Sequence, residues 1–513
     1  MRDKNYFENH TGNLVTSPKE EDLANTMIRG SVWMLSMRGL VRILGISCTA
    51  ILARLLVPED FGLMAMVMVI VGMASACLDF GVAIALIRKQ DAQKEHFDTG
   101  WTMRILESAL IAVILLCATP WISSFYNEER LNFIAPIIAL SIFIGGWENI
   151  GTIIIRKNLE FKKDFTFNLL KKLLSVIFVV SLAVYFRNYY AFAIGILLNN
   201  IAAVILSFII SDYRPSLTLK AVKDIWSVSQ WSLLRGIAIY FYTQGDKLIV
   251  GKMSTSQNLG FYIVGKEIAE LASDAIILPI GRALIPGFST IQHDASRLRT
   301  GFLKTFSAML IIALPIGFGI YIISDEAIPL LLGDNWRPTI PLLKILALYS
   351  VTTIISALAS DIIVVVGKIK VSTFFSWLEM IVFFLLIYPA YLWNGVLGIA
   401  YARVATGCFS IIFNLGALSY LIKTTLKDYF LAMYRPFLAV LFMMIGIKVT
   451  NIYMIDHIAF EPGLLTLILK IIVGAVIYSF TTIILWIMTG KEDGIEKIMF
   501  QIIHSKIRHN KIP

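Results

Sequence analysis

Several charged side chains sit inside stretches too apolar to let them reach water. Arg38 and Arg42 stand one helical turn apart within residues 31–55, and Arg235 lies about as deep within residues 226–251. Lys266, Glu270 and Asp274 follow at four-residue intervals, which a helix places on one face. Arg104, Glu107, Glu148, Glu379 and Arg403 are further charges inside apolar runs. A charge at mid-bilayer costs about 2.5 kcal/mol or more, so such groups pair with one another or line a water-filled cavity. Arg104 is expected to pair with Glu107, and Lys266 with Glu270. Arg38 and Arg42 have no acidic residue on their own helix, which points instead to a cation-lined cavity.

A guanidinium is planar, permanently charged and matched to phosphate oxygens. Arg38, Arg42, Arg235 and Lys266 are therefore the candidate contacts for an anionic, phosphate-bearing ligand. Glu270 and Asp274 are candidates for taking up a coupling proton or sodium ion, against the alternative that they pair with Lys266 or Arg282. No catalytic or metal-ligating constellation and no P-loop pattern is present, so the chain is not expected to be an enzyme or to hold a cofactor.

The elements that carry these charges follow from composition. Of the 513 residues, 57% are hydrophobic and only 16% charged, whereas soluble domains carry about 25% charged residues. Apolar runs of membrane-crossing length recur at about 31–55, 61–87, 101–124, 131–155, 167–186, 190–211, 226–251, 260–288, 303–323, 340–366, 372–393, 396–421, 436–455 and 464–489. With the N-terminus in the cytoplasm, the inside loops carry 16 Lys and Arg and the outside loops 5, which places both termini inside. The same bias accounts for the net charge of +10 without nucleic acid. No loop is long enough for a soluble catalytic domain, and no cleavable signal peptide is evident at the start. Cys48, Cys77, Cys117 and Cys408 all lie in apolar runs, where packing is their expected use.

The stretch QGDKLIVGKM, residues 244–253, ends the seventh run. Asp246 and Lys247 fall only about 6–8 Å from its outer boundary, where snorkelling to the interface suffices to explain them. The same stretch exposes a repeat. At an offset of 198, Ile51 meets Ile249, Arg54 meets Lys252, Gly62 meets Gly260, Trp33 meets Trp231 and ALI (85–87) meets ALI (283–285). Six spans separate the copies, so the repeat is parallel, as in transporters built from two lobes related by an axis along the membrane normal. Arg42 falls on Tyr240 and Arg38 on Gly236, so the two copies differ in charge, as an asymmetric ligand requires. The expected fold is an all-α polytopic membrane protein of about 14 transmembrane helices, in two parallel-repeat six-helix lobes plus two C-terminal helices. Its parts are a cytoplasmic segment (1–27), an N-lobe (28–211), a linker (212–225), a C-lobe (226–422), helices 13 and 14 (423–489) and a basic tail (490–513).

The runs RGSVWMLSMRGLVRILG (29–45), LVPEDFGL (56–63), LDFGVAIALIRKQD (78–91), GDKLIVGKM with NLGFYIVGKEI (245–268) and IGRALIPGFSTIQHD (280–294) occur in order. Together they resemble the polysaccharide transporters of the multidrug/oligosaccharidyl-lipid/polysaccharide exporter superfamily, and within it the Wzx-type lipopolysaccharide, O-antigen and colanic-acid flippases. The resemblance implies a flippase carrying a polyprenyl-diphosphate-linked oligosaccharide from the cytoplasmic to the periplasmic leaflet of a bacterial inner membrane. It also implies membrane lipids and polysaccharide polymerase machinery as partners. An ion-coupled multidrug antiporter of the same superfamily is the alternative.

Overall fold

Inside a bilayer the backbone N–H and C=O groups have no water to bond, so each apolar run winds into a helix that satisfies its own. The computed structural model describes residues 20–78, 81–89, 91–158, 160–226, 230–457 and 463–489, and among these it contains helices and no strand. In chain order they are α1 (Glu20–Leu55), α2 (Pro58–Leu78), α3 (Val82–Arg88), α4 (Lys94–Tyr126), α5 (Leu131–Gly145), α6 (Gly151–Lys157), α7 (Phe161–Phe186) and α8 (Tyr190–Ile210). There follow α9 (Val222–Trp226), α10 (Gln230–Met253), α11 (Ser256–Thr290), α12 (Ala295–Leu332), α13 (Thr339–Val365), α14 (Ile369–Ile422), α15 (Leu426–His457) and α16 (Leu464–Met488). Nine of the described helices are long and apolar enough to cross a membrane. The remaining spans carry charges, as α1, α10 and α11 do, or a break, as at α5.

All fourteen expected spans are present, with two corrections. The second span is interrupted after Leu78 and resumes at Val82, with Gly81 in the left-handed region at φ 62°. The fourth is interrupted over residues 146–150. Hydropathy cannot register such breaks, because each is far shorter than the run of about 20 residues that a span requires. What permits them is local bonding of the freed backbone. At the second break Asn149 N–H donates to Ser207 Oγ at 2.9 Å, Asn149 Nδ2 donates to the Tyr213 carbonyl at 2.7 Å, and Gly151 N–H donates to Asn149 Oδ1 at 2.8 Å. The short α3 is tied down by Lys157, whose ammonium donates to the carbonyls of Leu86 and Lys89.

The eleventh and twelfth spans are two helices that run on through a reversal at Asn394, with φ −149° and ψ 36°, and Gly395, with φ 54° and ψ −138°. A side chain at Gly395 would strain that turn. α14 is therefore a hairpin of two arms, 369–393 and 396–422. α12 opens on a side-chain cap, with Asp294 accepting from the N–H groups of Ser296 and Arg297 at 3.0 Å.

The chain divides into two units, ending at Gly260 and beginning at Phe261. In the first, Leu86, Phe97, Trp101, Ile153 and Tyr213 form a core around α3, α4 and α6. The linker beyond α8 is strapped to the start of α4 by Asp98, which accepts from Tyr213 Oη and Ser216 Oγ, each at 2.6 Å, and from Ser216 N–H at 3.1 Å. In the second unit Phe302, Phe306, Leu310, Ile354, Leu358 and Ile362 form a core between α12 and α13. Large apolar side chains such as Leu385, Ile445 and Val476 face outward, as a lipid-solvated surface requires. Of the four cysteines only Cys48 is buried, and the other three lie on that apolar surface.

Candidate functional site

Within the first unit a cavity of about 480 Å³ opens beside the break in the second span. Gly72 and Ser75 come from α2, Val82 from α3, Arg104 and Glu107 from α4, and Tyr240 from α10. The arrangement depends on one close approach. Tyr240 Oη donates to the Val69 carbonyl at 2.6 Å, and its ring crosses α2 at Gly72, where any Cβ would lie 2.4 Å from that hydroxyl. α4 is positioned from its other side by the break in the fourth span. Trp147 meets Trp101 edge to face at 5.8 Å, and Gly146 sits against Ser108.

Arg104 is half-buried on the cavity wall. The expected ion pair with Glu107 does not form, although both line the same cavity: no salt bridge or side-chain hydrogen bond among the described residues engages the Arg104 guanidinium. The i, i+3 spacing permits a pair on a helix, but here the walls hold both groups toward the cavity. A nearby charge is instead paired elsewhere, with Glu148 at the break accepting from Lys171 of α7 at 2.8 Å.

Of the four cations expected from the sequence to line a cavity, the side chains of Arg38 and Arg235 lie outside the described residues, as does that of Asp274. Arg42 is half-buried on α1, one turn from Gly45, whose face meets the Lys172 ammonium of α7. It is not among the described residues that line the cavity. Lys266 belongs to the second unit, where it is 3% exposed and its ammonium lies 3.8 Å from Glu270, the expected pair. Arg104, Glu107 and Tyr240 are all visible in the sequence as polar groups within apolar runs, but only the broken second span brings them to one wall.

Asp246 does not reach the interface. It is 0% exposed, and its Oδ1 accepts from the Lys247 N–H at 2.8 Å. Lys252 does lie at the surface, donating to the Phe125 carbonyl at 2.6 Å with its ammonium 4.8 Å from the Phe125 ring. The C-terminal end of α10 is thus fastened to α4 by these contacts.

Broken and paired helices of this kind define a class of multi-pass membrane transporter fold. The chain superposes on the lipid II flippase MurJ in its inward closed conformation with a TM-score of 0.73, covering 88% of this chain and 98% of that one at 14% identity. The chain belongs to the polysaccharide biosynthesis protein family, whose model matches residues 51–341. It is 25% identical over 463 residues to an uncharacterized membrane protein in the cps region of Klebsiella pneumoniae, spanning 89% of this chain and 94% of the relative. It is 23% identical over 425 residues to the lipopolysaccharide biosynthesis protein WzxC of Escherichia coli K12, spanning 81% and 85%.

Proposed function

We propose that the protein is a flippase that moves a polyprenyl-diphosphate-linked oligosaccharide, the repeat unit of a surface polysaccharide, from the cytoplasmic to the outer leaflet by alternating access. The observation that carries this reading is the Arg104 guanidinium, held on a cavity wall inside the membrane with no acidic partner among the described residues. An arginine in apolar surroundings needs an anion, and a diphosphate supplies oxygens that match its fork. A cavity of about 480 Å³ is of a size to hold a charged headgroup, while the polyprenyl chain stays in lipid. Family membership and the name of the Escherichia coli relative support the same substrate class. Flipping breaks no covalent bond, so no catalytic group is called for. The bias of basic loops supports a bacterial inner membrane with both termini cytoplasmic, and polysaccharide polymerase machinery is the natural recipient of the product.

Glu107 and Tyr240 in the same cavity favour a second reading, since a carboxylate and an aromatic ring are what an organic cation uses. One experiment separates the two. Arg104→Ala, Arg104→Lys, Arg42→Ala and Glu107→Gln are expressed in a strain lacking its own flippase, and surface polysaccharide is followed at matched membrane abundance. The flippase reading expects Arg104→Ala to abolish export, Arg104→Lys to restore part of it and Glu107→Gln to spare it. Normal export by Arg104→Ala overturns the anion site. Resistance to cationic drugs that depends on Glu107 supports the antiporter.

A further inference from the structure

The segment that leaves α8 runs along the start of α4 and is bonded to it at each step. Asp98 takes the hydroxyls of Tyr213 and Ser216 together with the Ser216 N–H. The Thr218 N–H donates to Thr102 Oγ1 at 3.0 Å, and the Ala221 N–H donates to Thr99 Oγ1 at 3.2 Å. Alternate N–H groups, those of Ser216 and Thr218, thus turn to α4, as they do along one edge of an extended chain. In such a chain Leu217 and Leu219 share a face. Both are left in the open, at 65% and 51% exposed.

The anchors set the depth of this face. Thr102 lies inside the apolar run that begins at residue 101. Ile205 and Ile209 of α8, which lead into the segment, are themselves exposed on the lipid-facing surface. The two leucines continue that surface at the edge of the hydrocarbon. Lys220 and Lys223 follow at once; both are exposed, and neither forms an ion pair among the described residues. Asp224, the acid beside them, is already held by Lys89. Asp212 and Arg214, at the other end of the segment, are exposed and opposite in sign. Leucines at the hydrocarbon edge next to lysines that lack a counter-charge suit a surface that is apolar below and anionic above. A stable protein interface needs about 800 Å² a side, more than two leucines and two lysines supply.

We propose that residues 217–223 are a binding surface for anionic phospholipid. Leu217 and Leu219 enter the acyl boundary, and the ammonium groups of Lys220 and Lys223 meet phosphodiester headgroups such as that of phosphatidylglycerol. The lipid surface is distinct from the diphosphate assigned to the Arg104 cavity. The two are linked through α4, because Asp98, which holds the segment, stands about 9 Å along that helix from Arg104. Docking of the segment on the membrane therefore steadies the helix that forms the cavity wall.

The test uses Leu217→Cys in a cysteine-free background of the full-length protein, labelled with an environment-sensitive fluorophore. The protein is placed in nanodiscs of phosphatidylcholine alone or mixed with phosphatidylglycerol, each with a trace of lipid bearing a nitroxide near the top of its acyl chain. No substrate is present, so the outcome is independent of the flippase reading. Nitroxide quenching is expected to be stronger in the anionic discs, and high salt is expected to remove the gain. Each lysine at an anionic surface favours the bound state about fivefold. Adding Lys220→Gln and Lys223→Gln together should therefore lower the preference about twenty-fivefold, which brings quenching in the anionic discs down to the level in phosphatidylcholine. Leu219→Cys supplies a second label position if the first disturbs folding. Equal quenching in the two lipids, or a gain that survives the loss of both lysines, overturns the proposal. A label shielded from acrylamide yet untouched by nitroxide lipid also overturns it, since protein then covers the face.

Discussion

Gly62 and Gly260, 198 residues apart and equivalent in the internal repeat, meet face to face. A Cβ on Gly62 would lie 1.8 Å from the Ser256 carbonyl oxygen, and a Cβ on Gly260 would lie 1.8 Å from that of Pro58. Pro58 and Ser256 are themselves repeat equivalents. Each first turn thus contacts the other through the same two positions, as a local two-fold axis requires. The contact is surrounded by polar bonds. Arg130 binds Glu59 and Glu128, each at 2.8 Å, and Ser256 Oγ donates to Glu128 at 2.8 Å.

Gly62→Ala and Gly260→Ala each force backbone apart at this point. Overpacking of this kind costs about 1–3 kcal/mol, enough to shift an open–closed balance about fivefold or more. In a cysteine-free background carrying Ser75→Cys, labelling by an impermeant thiol reagent added from outside is expected to rise in both variants. Unchanged labelling would show that the contact does not gate access.

Tyr240→Phe removes the hydrogen bond to the Val69 carbonyl while leaving the ring on Gly72. The loss is about 1 kcal/mol, seen as a lower Tm with export largely kept. Tyr240→Ala also removes a cavity wall, and export is expected to fall further at equal abundance.

Lys470 of α16 is 5% exposed and donates to Glu326 of α12 at 2.5 Å. Removing one member of a buried pair leaves the other uncompensated, at about 3–5 kcal/mol. Lys470→Met should therefore sharply lower membrane abundance, and adding Glu326→Leu should recover most of it. Immunoblotting of membrane fractions reads both. No recovery in the double variant would mean that the pair does more than hold α16 in place.

In the linker between α8 and α10, Asp224 accepts from Lys89 at 3.1 Å and lies 3.2 Å from His96 Nε2. The Lys89 bond and then the His96 bond hold its carboxyl below the ordinary value of 3.8. A group lowered on folding contributes its stabilisation in full above the ordinary value, and loses it as pH falls through the folded one. Asp224→Asn should thus speed tryptic cleavage at Lys220 and Lys223 near neutral pH. Under peptic cleavage, the difference from wild type should vanish as pH falls below the ordinary value of 3.8 and on through the folded one. A difference that persists there would assign the effect to something other than this charge.

The spans themselves are legible in the sequence because the bilayer imposes one requirement on every residue within it. Long apolar runs must be helices, and charges such as Arg104, Glu107 and Glu379 stand out against them. The repeat is equally legible, since a fixed offset survives in Gly62 and Gly260 without any knowledge of their contact. Hydropathy averages over about 20 residues, so it passes over the breaks at Gly81 and at 146–150, where at the latter single side chains such as Asn149 replace the helical bonds. Partner choice also lies outside it. Arg104 and Glu107 share a helix face yet stay apart, while Glu148 finds Lys171, and Glu379 finds Ser410 and Asn414 rather than a cation. One-dimensional spacing reports which groups share a face of one helix. Which of them meet is decided by how the helices cross, through close approaches such as Gly72 on Tyr240 that involve no charge at all.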